Sequence, residues 1–255
     1  MTKKIAFTLT SAASKRLIAR AVAAMPEVKH AKKHGRIIVA NGTTNAYVVE
    51  ELGFGPLEKG TFSVGVVTDS AWLTTPARTR QKPLVLEQGE ISQRPWTEVL
   101  AEFGADDVFI KGGNALDLDG NVGVLLGSAA GGTIGNAFRF LVATGAHLVL
   151  PVGLEKLVPS VLEAASALGI GTLDHTEGIP CGMFPISYGT VMTELDALAL
   201  LYDAESTHVA SGGFAGCEGA VGLVAWGHDN DIERLQADLP ALTQEHAIGK
   251  IDFSE

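Results

Sequence analysis

The chain has 255 residues, 46% of them hydrophobic and 19% charged, with a formal net charge of −10 at pH 7. This balance excludes a disordered polymer, and no uncharged apolar run approaches the ~20 residues of a membrane span. Two cysteines, Cys181 and Cys217, with no Cys-x-x-Cys and no Cys/His cluster, argue against a disulfide framework or a structural zinc.

The opening Met1-Thr-Lys-Lys-Ile-Ala-Phe7 is too short in its apolar part for an export signal, so the cytoplasm is the expected compartment. Residues 11–34 carry Leu17, Ile18, Ala21, Val22 and Met25 at helical spacing, with Ser11 or Ser14 as the expected cap and Pro26 as a break or restart. The first 36 residues hold nine cations against the single acid Glu27, a balance of +8 that leaves −18 for the rest. The expectation is a solvated basic face, or one that meets the acidic body. A nucleic-acid contact is the weaker alternative in so acidic a chain. Arg36-Ile-Ile-Val-Ala40 reads as a buried strand, Asn41-Gly-Thr-Thr-Asn45 as a loop and Ala46–Leu52 as a helix, and Thr61–Val67 is a second strand. Residues 68–95 contain Pro76, Pro83 and Pro95 and the cations Arg78, Arg80, Lys82 and Arg94, the pattern of a mobile or substrate-facing loop.

Trp96–Phe103 looks helical, and Asp107–Ile110 is a strand running into Lys111-Gly-Gly-Asn114. Asn121–Leu126 is a strand, Gly127–Gly135 a glycine loop and Asn136–Thr144 a helix; His147–Leu150 and residues 153–167 repeat strand then helix. The alternation predicts an α/β fold, a layered Rossmann-like, mainly parallel sheet with helices on both faces. The tail is strand-like at Ser206–Ala210 and Ala220–Trp226 and helical at Asp229–Leu239. It predicts a small C-terminal α+β (β-loop-β-α) unit. The expected organisation is therefore a ligand-binding domain over residues 1–202 and a subdomain or sheet edge over 203–255.

Eight glycines fall between Gly112 and Gly135. A glycine loop between strand and helix turns backbone N–H groups towards a ligand, and the helix N-terminus adds partial positive charge, which suits phosphate or carboxylate. On this basis Gly127, Gly131, Gly132 and Thr133 are candidate anion-binding residues, and Gly42, Thr43, Thr44 and Asn45 make a similar offer at the earlier strand end. Gly127 and Gly132 have Walker-A spacing, but Thr133 stands where the lysine belongs; Gly-x-Gly-x-x-Gly and Gly-x-Ser-x-Gly are both absent. Lys111 beside Gly112, Gly113 and Asn114 supplies a point charge for an anion. Asp106/Asp107, Asp117/Asp119 and Asp174/Glu177 are candidate acid–base groups, with Asp107, Asp117 and Glu177 favoured for proton transfer in that order. His175 is the leading histidine; His30 and His34, at i and i+4, lack a third metal ligand, and Asp117-Leu-Asp-Gly-Asn121 has its glycine too early for a calcium loop. Neither a metal nor a cofactor is indicated.

Ile38-Val-Ala-Asn-Gly-Thr-Thr-Asn45 and Ile110-Lys-Gly-Gly-Asn-Ala-Leu116 stand in the order of two motifs, G-T-G-S-T and K-G-G-G-x-A-L. In this the chain resembles the superfamily of ribose-5-phosphate isomerase, glucosamine-6-phosphate deaminase and the CoA transferases, at the level of pattern over about residues 15–200. The resemblance implies a phosphate held by Gly42, Thr43 and Thr44, and Lys111 near the substrate. The isomerases' acidic D-G-A-D-E segment has no counterpart, and the CoA-transferase glutamate has no evident match. The expected function is an enzyme on a small anionic metabolite, a sugar phosphate or acyl-CoA, acting as an isomerase or transferase. The alternative is a non-catalytic sensor of the same fold. A homo-oligomer is expected, with neither membrane nor nucleic acid as partner.

Overall fold

The computed structural model describes residues 2–253. The chain opens with strand β1 (Thr2–Leu9) and helix α1 (Ser11–Ala24), and Pro26, at the first position of α2 (Pro26–His34), restarts the helix as its fixed φ allows. The cap of α1 is Thr10, whose side chain accepts from the Ala13 N–H, rather than Ser11 or Ser14. Then come β2 (Arg36–Val39), α3 (Thr43–Glu51), the hairpin β3 (Gly65–Thr68) and β4 (Ala71–Thr74), β5 (Leu84–Glu87), β6 (Glu90–Ile91) and α4 (Trp96–Leu100). The strand expected over Thr61–Val67 is thus only Gly65–Thr68, and residues 68–95, expected to be irregular, supply β4, β5 and β6.

The middle of the chain gives β7 (Val108–Ile110), β8 (Ala115–Leu116), β9 (Val122–Leu126), α5 (Gly132–Thr144), β10 (His147–Pro151), a 3-10 turn at Leu154–Lys156 and α6 (Val161–Ala167). The final third is β11 (Gly182–Ile186), β12 (Thr190–Met192), α7 (Glu194–Tyr202), β13 (Glu205–Ser211), β14 (Val221–His228) and α8 (Asp229–Thr243). The fold is mixed α/β.

Six strands form the main sheet in the order β12-β10-β7-β2-β5-β6. The first four are mutually parallel, and β5 and β6 close the edge antiparallel. Ile37, Ile38, Val39, Val108, Phe109, Ile110, Leu148 and Val149 are buried, as a sheet covered on both sides requires. Helices α1, α2 and α4 all pack against strands of this sheet. A second sheet, β8-β9-β11, is antiparallel, and a third is β1-β14-β13.

The unit expected over residues 203–255 contains β13, β14 and α8, and it takes a strand from the other end of the chain. β1 pairs antiparallel with β14 along its whole length, from Thr2 opposite His228 to Leu9 opposite Val221. The basic N-terminal segment meets the acidic body. Lys15 pairs with Glu155 at 2.8 Å, and Arg16 holds Glu50, Glu51 and Glu245 at 2.5, 2.9 and 2.7 Å. Lys3 pairs with Glu233. Among the described residues no helix is long and apolar enough to cross a membrane.

Candidate functional site

The carboxyl ends of β2 and β7 open into a cavity of about 310 Å³, within the size range of small-molecule sites and at its low end. Its walls are the loops after those two strands, the hairpin β3–β4, the end of β9 with the start of α5, and Lys156 from the turn after β10. The helices α3 and α5 both begin here. The N-cap positions are Gly42 and Gly131, and no side chain caps either helix. A helix start without a side-chain cap leaves its first-turn N–H groups to a ligand or to water. Gly131 and Gly132 take φ values of +78° and +58°, a left-handed pair open to glycine at little cost. This starts α5 at Gly132, four residues before the expected Asn136.

Lys111 follows β7 directly, and its backbone N–H donates to the Val149 carbonyl at 2.9 Å. The side chain lines the cavity and donates to the Gly112 carbonyl at 2.9 Å. Lys156 donates to the next carbonyl, that of Gly113, at 2.6 Å. The cavity thus holds two amino groups on adjacent carbonyls. Burial, and secondarily the charge of Lys156, lowers the Lys111 pKa from 10.5 to about 8. Burial and the charge of Lys15 bring Lys156 to about 8 as well, against the pull of Glu155 and Glu194. Arg80 is the third cation of the lining, anchored through its guanidinium to the Thr75 carbonyl. Among the described residues no aspartate or glutamate lines the cavity.

Of the sequence candidates, Gly42, Thr43, Thr44, Lys111, Gly112, Gly113, Asn114, Gly127, Gly132 and Thr133 all reach this cavity. Gly131 stands just behind as the helix cap. Asn45 lies outside the lining. Its side-chain amide donates to the Ala40 and Ile110 carbonyls at 2.7 and 3.2 Å, tying β2 to β7 where both strands end. The three carboxylates expected to move protons are elsewhere. Asp107 precedes β7, at the opposite end of the strand from Lys111, and the three residues of the strand between them set them about 13 Å apart. It accepts from the Arg36 and Gly104 N–H groups at 2.6 and 2.7 Å and pairs with the Arg36 guanidinium at 3.2 Å.

Asp117 accepts from the N–H groups of Asn121 and Val161, both at 2.9 Å, closing the turn after β8 and the start of α6. Burial opposes its charge, but the Val161 and Asn121 bonds outweigh it and hold the carboxyl below its usual range. Glu177 is exposed on the loop before β11, with His175 at 3.1 Å. Cys181 lines the cavity, and burial pushes its thiol up, so it stays protonated at neutral pH.

Lys156 is the residue that motif reading missed, hidden within a segment expected to be helical. Arg80 had a visible signal, a cation in a proline-bounded stretch that faces the cavity. The described residues contain no group of three His, Cys, Asp or Glu side chains placed to hold a metal ion. No family model, curated protein or solved structure matches the chain.

Proposed function

We propose that this cavity binds a small phosphorylated metabolite of sugar-phosphate size, within a layered Rossmann-like domain of the kind found in the sugar-phosphate isomerases. One observation carries the reading. The lining joins Arg80, Lys111 and Lys156 to two helix starts without side-chain caps, with no carboxylate among the described residues to compete. Such donors converge on an anion, and the arginine offers a planar fork matched to phosphate oxygens. A volume of about 310 Å³ favours a compact sugar phosphate over an entire acyl-CoA, whose nucleotide would lie outside. Val66, Trp72, Leu73 and Ile179 give the rest of the wall an apolar character suited to a carbon chain. The resemblance to the isomerases supports the same roles for Gly42, Thr43, Thr44 and Lys111.

The sensor reading has its own support, because Asp107, Asp117 and Glu177 all lie away from the cavity. Thermal melting with inorganic phosphate, ribose 5-phosphate and acetyl-CoA tests the binding. At a hundredfold excess over Kd, binding adds about 2.7 kcal/mol, a rise of roughly 5–10 °C for a chain of this size. Ribose 5-phosphate is expected to give the rise and Arg80→Ala to reduce it. Folded protein that responds to no phosphorylated compound would overturn the reading.

A further inference from the structure

We infer that Lys111 is an amine nucleophile, forming an imine with an aldehyde or ketone carbonyl of the phosphorylated compound bound in the cavity. The inference rests on the binding proposed above and adds what the site does to its ligand. Lys111 makes no salt bridge with any of the described residues, and the bond its Nζ makes to the Gly112 carbonyl is one that a neutral amine can make as well as an ammonium. Its neighbour on the adjacent carbonyl differs: Lys156 has Glu155 and Glu194 pulling its proton on, whereas among the described residues no acid does this for Lys111. A lysine half-buried in a cavity wall and set beside a second cation is a recurrent way to obtain a neutral amine near pH 7. The lowered pKa of about 8 agrees with that arrangement.

Arg80 and the first-turn N–H groups of α3 and α5 offer the phosphate further donors, which leaves the amine for the carbonyl of the same ligand. The lone pair of Nζ forms a bond to the carbonyl carbon as the carbonyl π electrons move to oxygen. Nitrogen loses one proton and oxygen gains one, giving a carbinolamine. Its C–O bond then breaks, and the oxygen leaves as water with a proton supplied by the Lys156 ammonium, which is reprotonated from solvent. A protonated imine remains. No oxidant or reductant enters.

The test uses glycolaldehyde phosphate with sodium cyanoborohydride near pH 7, followed by peptide mapping. Hydride reduces the imine to a secondary amine, heavier than lysine by the aldehyde less one oxygen. At pH 7 an amine of pKa about 8 is neutral roughly 300-fold more often than one at 10.5, so Lys111 is expected to be labelled before the surface lysines. Labelling should rise with pH and level off above about 8, and excess inorganic phosphate should suppress it. Lys111→Arg should lose the adduct. The wild-type pH profile serves as the readout should that variant not fold. Labelling of Lys156 or of surface lysines ahead of Lys111 would overturn the inference. So would an absent adduct in protein that still responds to phosphate, an outcome that leaves the binding proposal standing. Labelled Lys111 without any response to phosphate would support the nucleophile and refute the phosphate reading.

Discussion

Replacing Lys111 by methionine should stabilise the unliganded protein at neutral pH, and the gain should vanish in alkali. Methionine is unbranched and of similar length, so it fills the same space without charge. The folded protein binds the Lys111 proton with a pKa of about 8 instead of 10.5, a difference worth roughly 3 kcal/mol. Methionine also gives up the bond to the Gly112 carbonyl, about 1 kcal/mol, so a net gain of about 2 kcal/mol is expected at pH 7. The sign follows from proton counting. Between the two pKa values the unfolded chain binds more protons than the folded one, so the stability of the wild type rises with pH in that window. The penalty is complete below pH 8 and gone above 10.5. Urea unfolding of wild type and Lys111→Met at about pH 7 and pH 10 measures the difference, in which the titration of groups not coupled to Lys111 cancels. A difference independent of pH, or a variant less stable than wild type at pH 7, would refute the reasoning and show the ammonium to be satisfied in the fold.

Two further outcomes separate structural residues from the site. Asp107→Ala removes a buried carboxylate and leaves the Arg36 and Gly104 N–H groups without their acceptor, while the half-exposed Arg36 guanidinium keeps Glu87 and Glu102. A loss of about 2–4 kcal/mol is expected, with phosphate binding retained by whatever protein stays folded; lost binding at full stability would return Asp107 to the site. At Gly178, φ is +94° and an added Cβ would lie 2.0 Å from the Trp72 carbonyl oxygen. Gly178→Ala should therefore pull the loop before β11 off the hairpin β3–β4, seen as faster hydrogen exchange at the Trp72 and Ile179 amides that now bond across the contact. Phosphate binding should weaken with it, because Trp72 and Ile179 both line the cavity; unchanged exchange would falsify this account.

Three of the four parallel strands, β2, β7 and β10, were legible because they are short apolar runs buried on both faces, and such runs announce themselves without a partner. The glycine loops were legible for a related reason, since their chemistry lies in the backbone they free. Other elements escaped through weak local signals. β1 alternates Lys4, Ala6 and Thr8 with Ile5, Phe7 and Leu9, a period of two that marks a half-buried strand; it was obscured by its lysines. β11 and β12 carry Gly182, Pro185 and Thr190 and are held by pairing with strands about 40–60 residues away. The carboxylates misled for a definite physical reason. An aspartate next to a strand end can serve a ligand or satisfy stranded N–H groups, and local sequence does not say to which end of the strand a pocket belongs. Asp107 and Lys111 are four residues apart and lie at opposite ends of β7. Lys156 became part of the site only because β10 lies beside β7.

The pairing of β1 with β14 also sets a timetable for synthesis. Leu9 faces Val221, so more than two hundred residues must leave the ribosome between the two strands. At ~5–20 residues per second this is roughly ten to forty seconds. For that interval β1 has an unmet edge and an apolar stripe of Ile5, Phe7 and Leu9 without its sheet partner. The main sheet and its cavity can assemble in the meantime from residues 36–192, which supply all six of its strands. The third sheet closes last, joining the beginning of the chain to its end.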